Sequence, residues 1–443
     1  MVREKPAPFP YPAAIWPQRP GRFSAMSMSD LFQGMPRFTM PRSSARRSAP
    51  VLMTARAEAA AAVPPLRPRV EIPLCDPAPE QEARDVHRAR GRFLARQDAW
   101  DDLGHEICRA DRHRALTPGL TPVARLLAEG ARADLVSAAC GAVARGEPHV
   151  ARTALASLEV NLDETPDCPA LAYVVARAHL DVARAWRGAS QPHQLAPQRR
   201  EAYDRHMRSA TDLVDMFDPF EFDSALWAGV RCDVLETDPR PSQRVADDYE
   251  DYIELCPMDP GALMALGRDL LPSRFGTWEV LESHARRISG LCYDVWGAGG
   301  YAWVYIGALE REVRALRRMD VELFVEGLHE ILARHPTQHM ANRLAAFAGM
   351  TIVRGDMPRQ DADRLVDCFG WIVQDHMREL HPVIWAEAPL PGSALPAEIE
   401  EGDMVKRGKA RAITTLAQYY AAPLEAGRRL VFTEDGLRIR KAE

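Results

Sequence analysis

Three histidines and a glutamate crowd one stretch of the chain: His329, Glu330, His335 and His339. Imidazole and carboxylate are ordinary ligands of a transition metal. A His-Glu-x-x-His helix face would set two imidazoles one turn apart. That spacing is not met, and Pro336 breaks the helix between His329 and His339. The cluster reads as histidines near a helix C-terminus, where the macrodipole favours positive charge. No metal and no other cofactor is expected. A second group, Trp296-Gly297-Ala298-Gly299-Gly300, is glycine-rich, but it lacks the preceding strand and the Lys-Ser/Thr of a phosphate loop. A tight interhelical turn is the expectation.

Two further groups could bind rather than react. Asp247, Asp248, Glu250, Asp251 and Glu254 share one helix with Tyr249 and Tyr252. Paired carboxylates can serve as general acid and base, but nothing in the sequence pairs with them. A solvated acidic face or a partner-binding ridge remains. Trp296, Tyr301, Trp303 and Tyr305 form an aromatic set. On an open groove they would anchor a peptide. If their helix packs on both sides, they are core. These six aromatic residues, Tyr249 and Tyr252 among them, are the candidate partner-binding residues, and no catalytic residue is assigned.

Composition narrows the classes. Apolar residues make up 47% of 443, enough for a sizeable core. The net charge of -6 excludes a global polycation of the nucleic-acid-binding kind. Four lysines stand against 52 arginines, which fits coding bias in a GC-rich bacterium better than selection for phosphate binding. The eight cysteines form no C-x-x-C pair and mostly sit among apolar helical residues. Buried free thiols in a reducing cytoplasm are expected. The apolar span Leu291 to Leu309 approaches membrane length but carries Asp294 and four glycines, so a buried helix pair is expected rather than a membrane helix.

These groups need elements to hold them. Residues 1–79 carry 15 of the 35 prolines and a net charge of +6. That density opposes helix and sheet, and the region reads as a disordered leader. From about residue 80 to 388 the grammar is helical. Apolar residues recur at spacings of three, four and seven, as in Val123, Leu126, Leu127 and Ala131. Thr121-Pro122, Glu147-Pro148, Thr165-Pro166 and Asp218-Pro219 read as helix openings. Asp98, Thr277, Asp320 and Asp361 are read as caps, and Trp278, Leu281, Ala285 and Ile288 as one buried face. Prolines at 166, 219, 257 and 336 suggest a period near 40 residues. Residues 389–403 read as a linker. Residues 404–443 should hold a basic stretch, a helix from Ile413 to Ala421 and a hairpin around Glu434-Asp435-Gly436.

The segment Pro257 to Leu271 resembles the first helix of a tetratricopeptide repeat. It carries Asp259-Pro260, Ala262 and Leu266-Gly267 near that family's Leu-Gly. Leu270-Leu271-Pro272, Gly276-Thr277-Trp278-Glu279, His335-Pro336 and Asn342 to Ala348 are similar to an uncharacterised bacterial family with LLPR-x-x-GSWE-like and NRFARFA-like elements. That likeness covers roughly residues 80–390 and implies a helical fold without assigning an activity. Together these readings predict an all-α, right-handed α-solenoid of degenerate helix pairs, followed by a small C-terminal helix and β-hairpin. Stacked pairs build concave surfaces. A non-enzymatic interaction or scaffold protein, binding a peptide or protein segment on that surface, is the expected function. An enzyme or small-molecule sensor with a site near Trp296 to Tyr305 is the alternative.

Overall fold

The computed structural model describes residues 69–190, 192–352, 358–390 and 401–441. Most of the expected leader, including the Arg/Ser/Pro patch at 41–48, and most of the 389–403 linker lie outside these residues. Strand β1 (Val70–Glu71) comes first. The helices follow as α1 (Pro79–Arg96), α2 (Trp100–Arg112), α3 (Val123–Arg145), α4 (Pro148–Thr153), α5 (Ala156–Glu164), α6 (Pro169–Arg187), α7 (Pro197–Val214) and α8 (Ala225–Asp233). The chain continues through α9 (Val245–Leu255), α10 (Pro260–Asp269), α11 (Trp278–Leu291), the single turn α12 (Tyr293–Trp296), α13 (Gly299–Arg311) and α14 (Val321–Arg334). It closes with α15 (Gln338–Ala346), α16 (Arg359–Trp371), α17 (Pro382–Glu387), α18 (Glu401–Tyr419), α19 (Ala421–Glu425), β2 (Arg428–Thr433) and β3 (Gly436–Lys441). Among the described residues helix dominates, and one small sheet is the only strand structure beyond two isolated bridges.

Local signals set many of these starts. Proline occupies the first turn of α1, α4, α6, α7, α10 and α17, where its missing N–H goes unused. Thr277 caps α11 through the N–H of Val280, and Asp320 caps α14 through that of Leu323, as the sequence suggests. Other caps are different. Asp361 lies inside the first turn of α16, which opens after Pro358. Asp98 takes a left-handed φ of 56° and accepts from the Trp100 indole. The Thr121 hydroxyl turns away from α3 to donate to Glu80. After Asp218-Pro219 the chain makes a turn, and α8 opens later on Ser224. The basic stretch 404–411 is not a separate segment, because α18 runs unbroken from Glu401.

Residues 69–78, read as leader in the sequence, are drawn into the body. Val70 pairs in parallel with Leu430 of β2, and β2 pairs antiparallel with β3 in the expected hairpin. Leu74 bridges to Leu380. The beginning of the described chain is thus tied to its end. Such pairings join residues hundreds of positions apart, so no local pattern announces them.

Two apolar cores result. One is built on α1 to α8, from Leu94 to Val234, and the other on α8 to β2, with Val70 joining it from β1. Leu281, Ala285 and Ile288 are fully buried in the second, as their spacing implies. Trp278 at the start of that face is half-buried at its edge. Its replacement therefore costs less than the 3–5 kcal/mol typical of a fully buried tryptophan. We expect Trp278→Ala to lower stability by about 1–2 kcal/mol in urea unfolding, in proportion to the smaller area lost.

At two places a reciprocal pair of glycines brings helices backbone to backbone. A Cβ on Gly267 of α10 would lie 1.9 Å from the Val304 carbonyl of α13, and one on Gly307 of α13 would lie 2.0 Å from that of Met264. Gly91 of α1 and Gly130 of α3 face Leu127 and Arg88 carbonyls in the same reciprocal way. The paired glycines are 39 and 40 positions apart.

Candidate functional site

The six aromatic candidates are core residues. Trp296, Tyr301, Trp303 and Tyr305 are 0% exposed, and Tyr249 and Tyr252 are nearly as buried. Each polar tip but one has an internal partner. The Trp296 indole donates to the Pro257 carbonyl at 2.7 Å, and both Tyr301 and Tyr305 donate to Glu282. Tyr249 donates to Asp269 and Tyr252 to Asp259. The Trp303 N–H is buried without a partner. A buried aromatic with its hydroxyl satisfied inside has little left to offer a partner, and of the six only Tyr249 and Tyr252 reach the wall of a small cleft. Helix α13, which carries Tyr301, Trp303 and Tyr305, packs on both sides, against α10 and α11 on one hand and α14 on the other.

The acidic helix is not a free ridge either. Asp248 is buried between Arg231 and Arg244, and Glu250 accepts from Arg287 at 2.7 Å. Asp247 and Glu254 are left exposed. The three histidines part company. His329 stacks on Trp371 with centroids 3.8 Å apart, His335 packs against Trp296, and His339 faces a cleft. Gly297, at φ 57°, turns the chain between α12 and α13.

That cleft, of about 330 Å³, is where distant helices converge. The first two turns of α1 supply Glu80 and Arg84, and the start of α3 supplies Arg125. Asp259 comes from the cap of α10, Glu310 from the end of α13, and His339 and Arg343 from α15. Most of the carboxylates are already committed. Glu80 is buried and accepts from the Gly119 N–H at 2.6 Å and the Thr121 hydroxyl at 2.8 Å. Asp259 accepts from Arg125, from Tyr252 and from the Gly261 N–H. Glu310 stands 3.6 Å from Arg268, and burial lifts its pKa against the pull of Arg268 and Arg343. Glu387 is exposed where the cleft meets solvent.

The arginines are not all matched. Arg125 has its ion pair with Asp259, but neither Arg84 nor Arg343 has a carboxylate within ion-pair distance among the described residues. The Arg84 Nε is shielded from solvent with no hydrogen-bond partner. Arg343 lies over the Trp303 face, its Cζ 4.7 Å from the ring centroid, and its Nη2 touches the Met264 sulfur. Burial lowers its pKa against the field of Glu310 and Asp259. His339 is held neutral beside them. Burial first, then Arg343, His381 and Arg84, push its pKa down to about 3. Three arginines stand against four carboxylates in the lining, so the cleft as a whole is not basic, and only the corner holding Arg84, neutral His339 and Arg343 is locally positive.

Little of this recess is visible along the chain. Arg343 could have been flagged as a charge inside the apolar run Leu344-Ala345-Ala346-Phe347. Glu80, Arg84 and Arg125 carry no local signal, because each matters through helices that arrive from elsewhere. The chain matches no protein-family model, no curated protein and no solved structure.

Proposed function

We propose that this chain is a non-enzymatic binding protein whose cleft receives a carboxylate-bearing segment of a partner protein. The observation that carries the reading is the pair Arg84 and Arg343, half-buried guanidiniums with no carboxylate within ion-pair distance among the described residues. A carboxylate seated there would accept charge-assisted hydrogen bonds, each worth roughly 1.5–3 kcal/mol. Catalysis has weaker support, since Glu80 is spent on a loop and His339 is a very poor base. The recurring glycine crossings, α1 on α3 and α10 on α13, favour a degenerate helical-repeat scaffold behind the cleft. The cysteines form no disulfide among the described residues, which suits a reducing compartment such as the cytoplasm. No helix among the described residues is long and apolar enough to cross a membrane.

A second reading, a sensor for a small carboxylic acid, draws on the modest volume of the cleft, near the lower end for ligand pockets. A fluorescent glutamate-rich peptide and free citrate, titrated against the full chain, separate the two. We expect the peptide to bind, and Arg84→Glu and Arg343→Met each to weaken it at least about tenfold. Saturation by citrate alone at lower concentration would favour the sensor. Peptide binding indifferent to both substitutions sinks the cleft as the site.

A further inference from the structure

We propose that Cys75, Glu379 and His381 form a binding site for a borderline-soft divalent ion of the zinc type. It lies at the seam where the first described segment docks beyond α16. A thiol, a carboxylate and an imidazole here offer ligand atoms that all lie within 4.8 Å of one another. Tetrahedral zinc, with bonds of about 2.0–2.3 Å, holds its ligand atoms roughly 3.3–3.8 Å apart, a distance small side-chain rotations reach. The donor set of sulfur, nitrogen and oxygen suits zinc or a neighbouring transition ion, whereas magnesium and calcium favour oxygen alone.

His381 is the second, independent indication. It is 3% exposed, yet its Nδ1 is buried without a hydrogen-bond partner, while its Nε2 stands 3.0 Å from Glu379 Oε1. Buried polar groups are ordinarily satisfied; with Nε2 turned to the Glu379 carboxylate, the unmet Nδ1 leaves this buried imidazole incompletely partnered next to the thiol–carboxylate pair.

The backbone presets the three. The Cys75 N–H donates to the Leu380 carbonyl at 3.0 Å, and the Leu380 N–H donates back to Pro73 at 2.8 Å. On the far side Asn342, fully buried, accepts from the His381 N–H at 3.0 Å and donates to the Glu379 carbonyl at 2.9 Å. Both ligand-bearing segments are thus fixed before any ion arrives, as supporting shells require. Cys75 and Glu379 are partly exposed, which gives an entry path. Three protein ligands leave a fourth position for water or a partner's side chain. On binding, the Cys75 thiol releases its proton to solvent as the metal–sulfur bond forms. The His381 and His339 rings lie 6.5 Å apart, so the ion would sit close to the cleft wall.

The test is a titration of the chelator-treated full chain with cobalt(II), a spectroscopic stand-in for zinc. We expect one equivalent to bind with a thiolate-to-cobalt charge-transfer band, and added zinc to abolish the band. Cys75→Ser should remove the band. Glu379→Gln, at a partly exposed position that leaves the fold intact, should weaken affinity at least about tenfold. Circular dichroism of each variant, matched to wild type, shows that the loss is not unfolding. A band retained in Cys75→Ser, an affinity unmoved in Glu379→Gln, or no equimolar binding by folded wild type would overturn the proposal.

Discussion

Gly267→Ala is expected to destabilise the protein by roughly 3 kcal/mol, although alanine is the better helix former by about 1 kcal/mol. The added methyl would meet the Val304 carbonyl at 1.9 Å, far inside contact distance. That obstacle is backbone in the middle of α13, which cannot swing aside as a side chain would, so the two helices must move apart. Overpacking of this kind typically costs 1–3 kcal/mol, and a fixed backbone obstacle places it at the top of that range. Gly307→Ala meets Met264 in the same way. Once one methyl has separated the helices, the second has room, so the double variant should fall clearly short of the sum. Gly290 in α11 supplies the control. A Cβ there meets nothing within 4 Å, and Gly290→Ala should be neutral or stabilising by up to about 1 kcal/mol. Urea unfolding of the four variants reads all of this. An unaltered midpoint for Gly267→Ala would rule out the close crossing of α10 and α13.

The second large effect depends on pH. His206 of α7 is buried against His179 of α6, the two Nδ1 atoms 3.0 Å apart. Burial, then the neighbouring His179 and Arg205, push its pKa down to about 4 from an ordinary 6.5. The unfolded chain therefore takes up a proton at higher pH than the folded one. Stability from this group is complete above about pH 6.5 and drains away as pH falls towards 4. Between pH 7 and 4.5 the loss amounts to roughly 2–3 kcal/mol. His206→Gln, which cannot titrate, should lack that component. Its urea midpoint should fall less than that of wild type across the same interval. Parallel curves for the two proteins would show that His206 is not held neutral. His339, pushed lower still, leaves a residual acid sensitivity in the variant.

The helices were legible where the cause is local. Thr277 and Asp320 cap because their own oxygens reach N–H groups three residues on, and Pro148 opens α4 through its own ring, whereas after Pro166, Pro219, Pro257 and Pro336 the helices begin a few residues later. The hairpin β2–β3 was legible for the same reason. The face Leu281, Ala285, Ile288 followed from spacing. Trp278 was placed too deep, because periodicity gives a direction around the helix and says nothing of where the neighbouring helix ends. The aromatics of α13 were undecided in sequence, since an apolar helix reads alike whether one side or both are covered.

What sequence by itself determined is the class: a mostly helical chain, proline-punctuated, without a recognisable catalytic spacing. Helix-forming signals act over four residues, so one strand of text holds them whole. Tertiary structure decided where charge meets charge. Glu80, Arg125, Asp259 and Arg343 meet in one cleft from four separate elements. Cys75 reaches Glu379 and His381 across about 300 residues. A side chain's desolvation and its unmatched partners are properties of surroundings that other segments supply, and they exist only once the helices have packed.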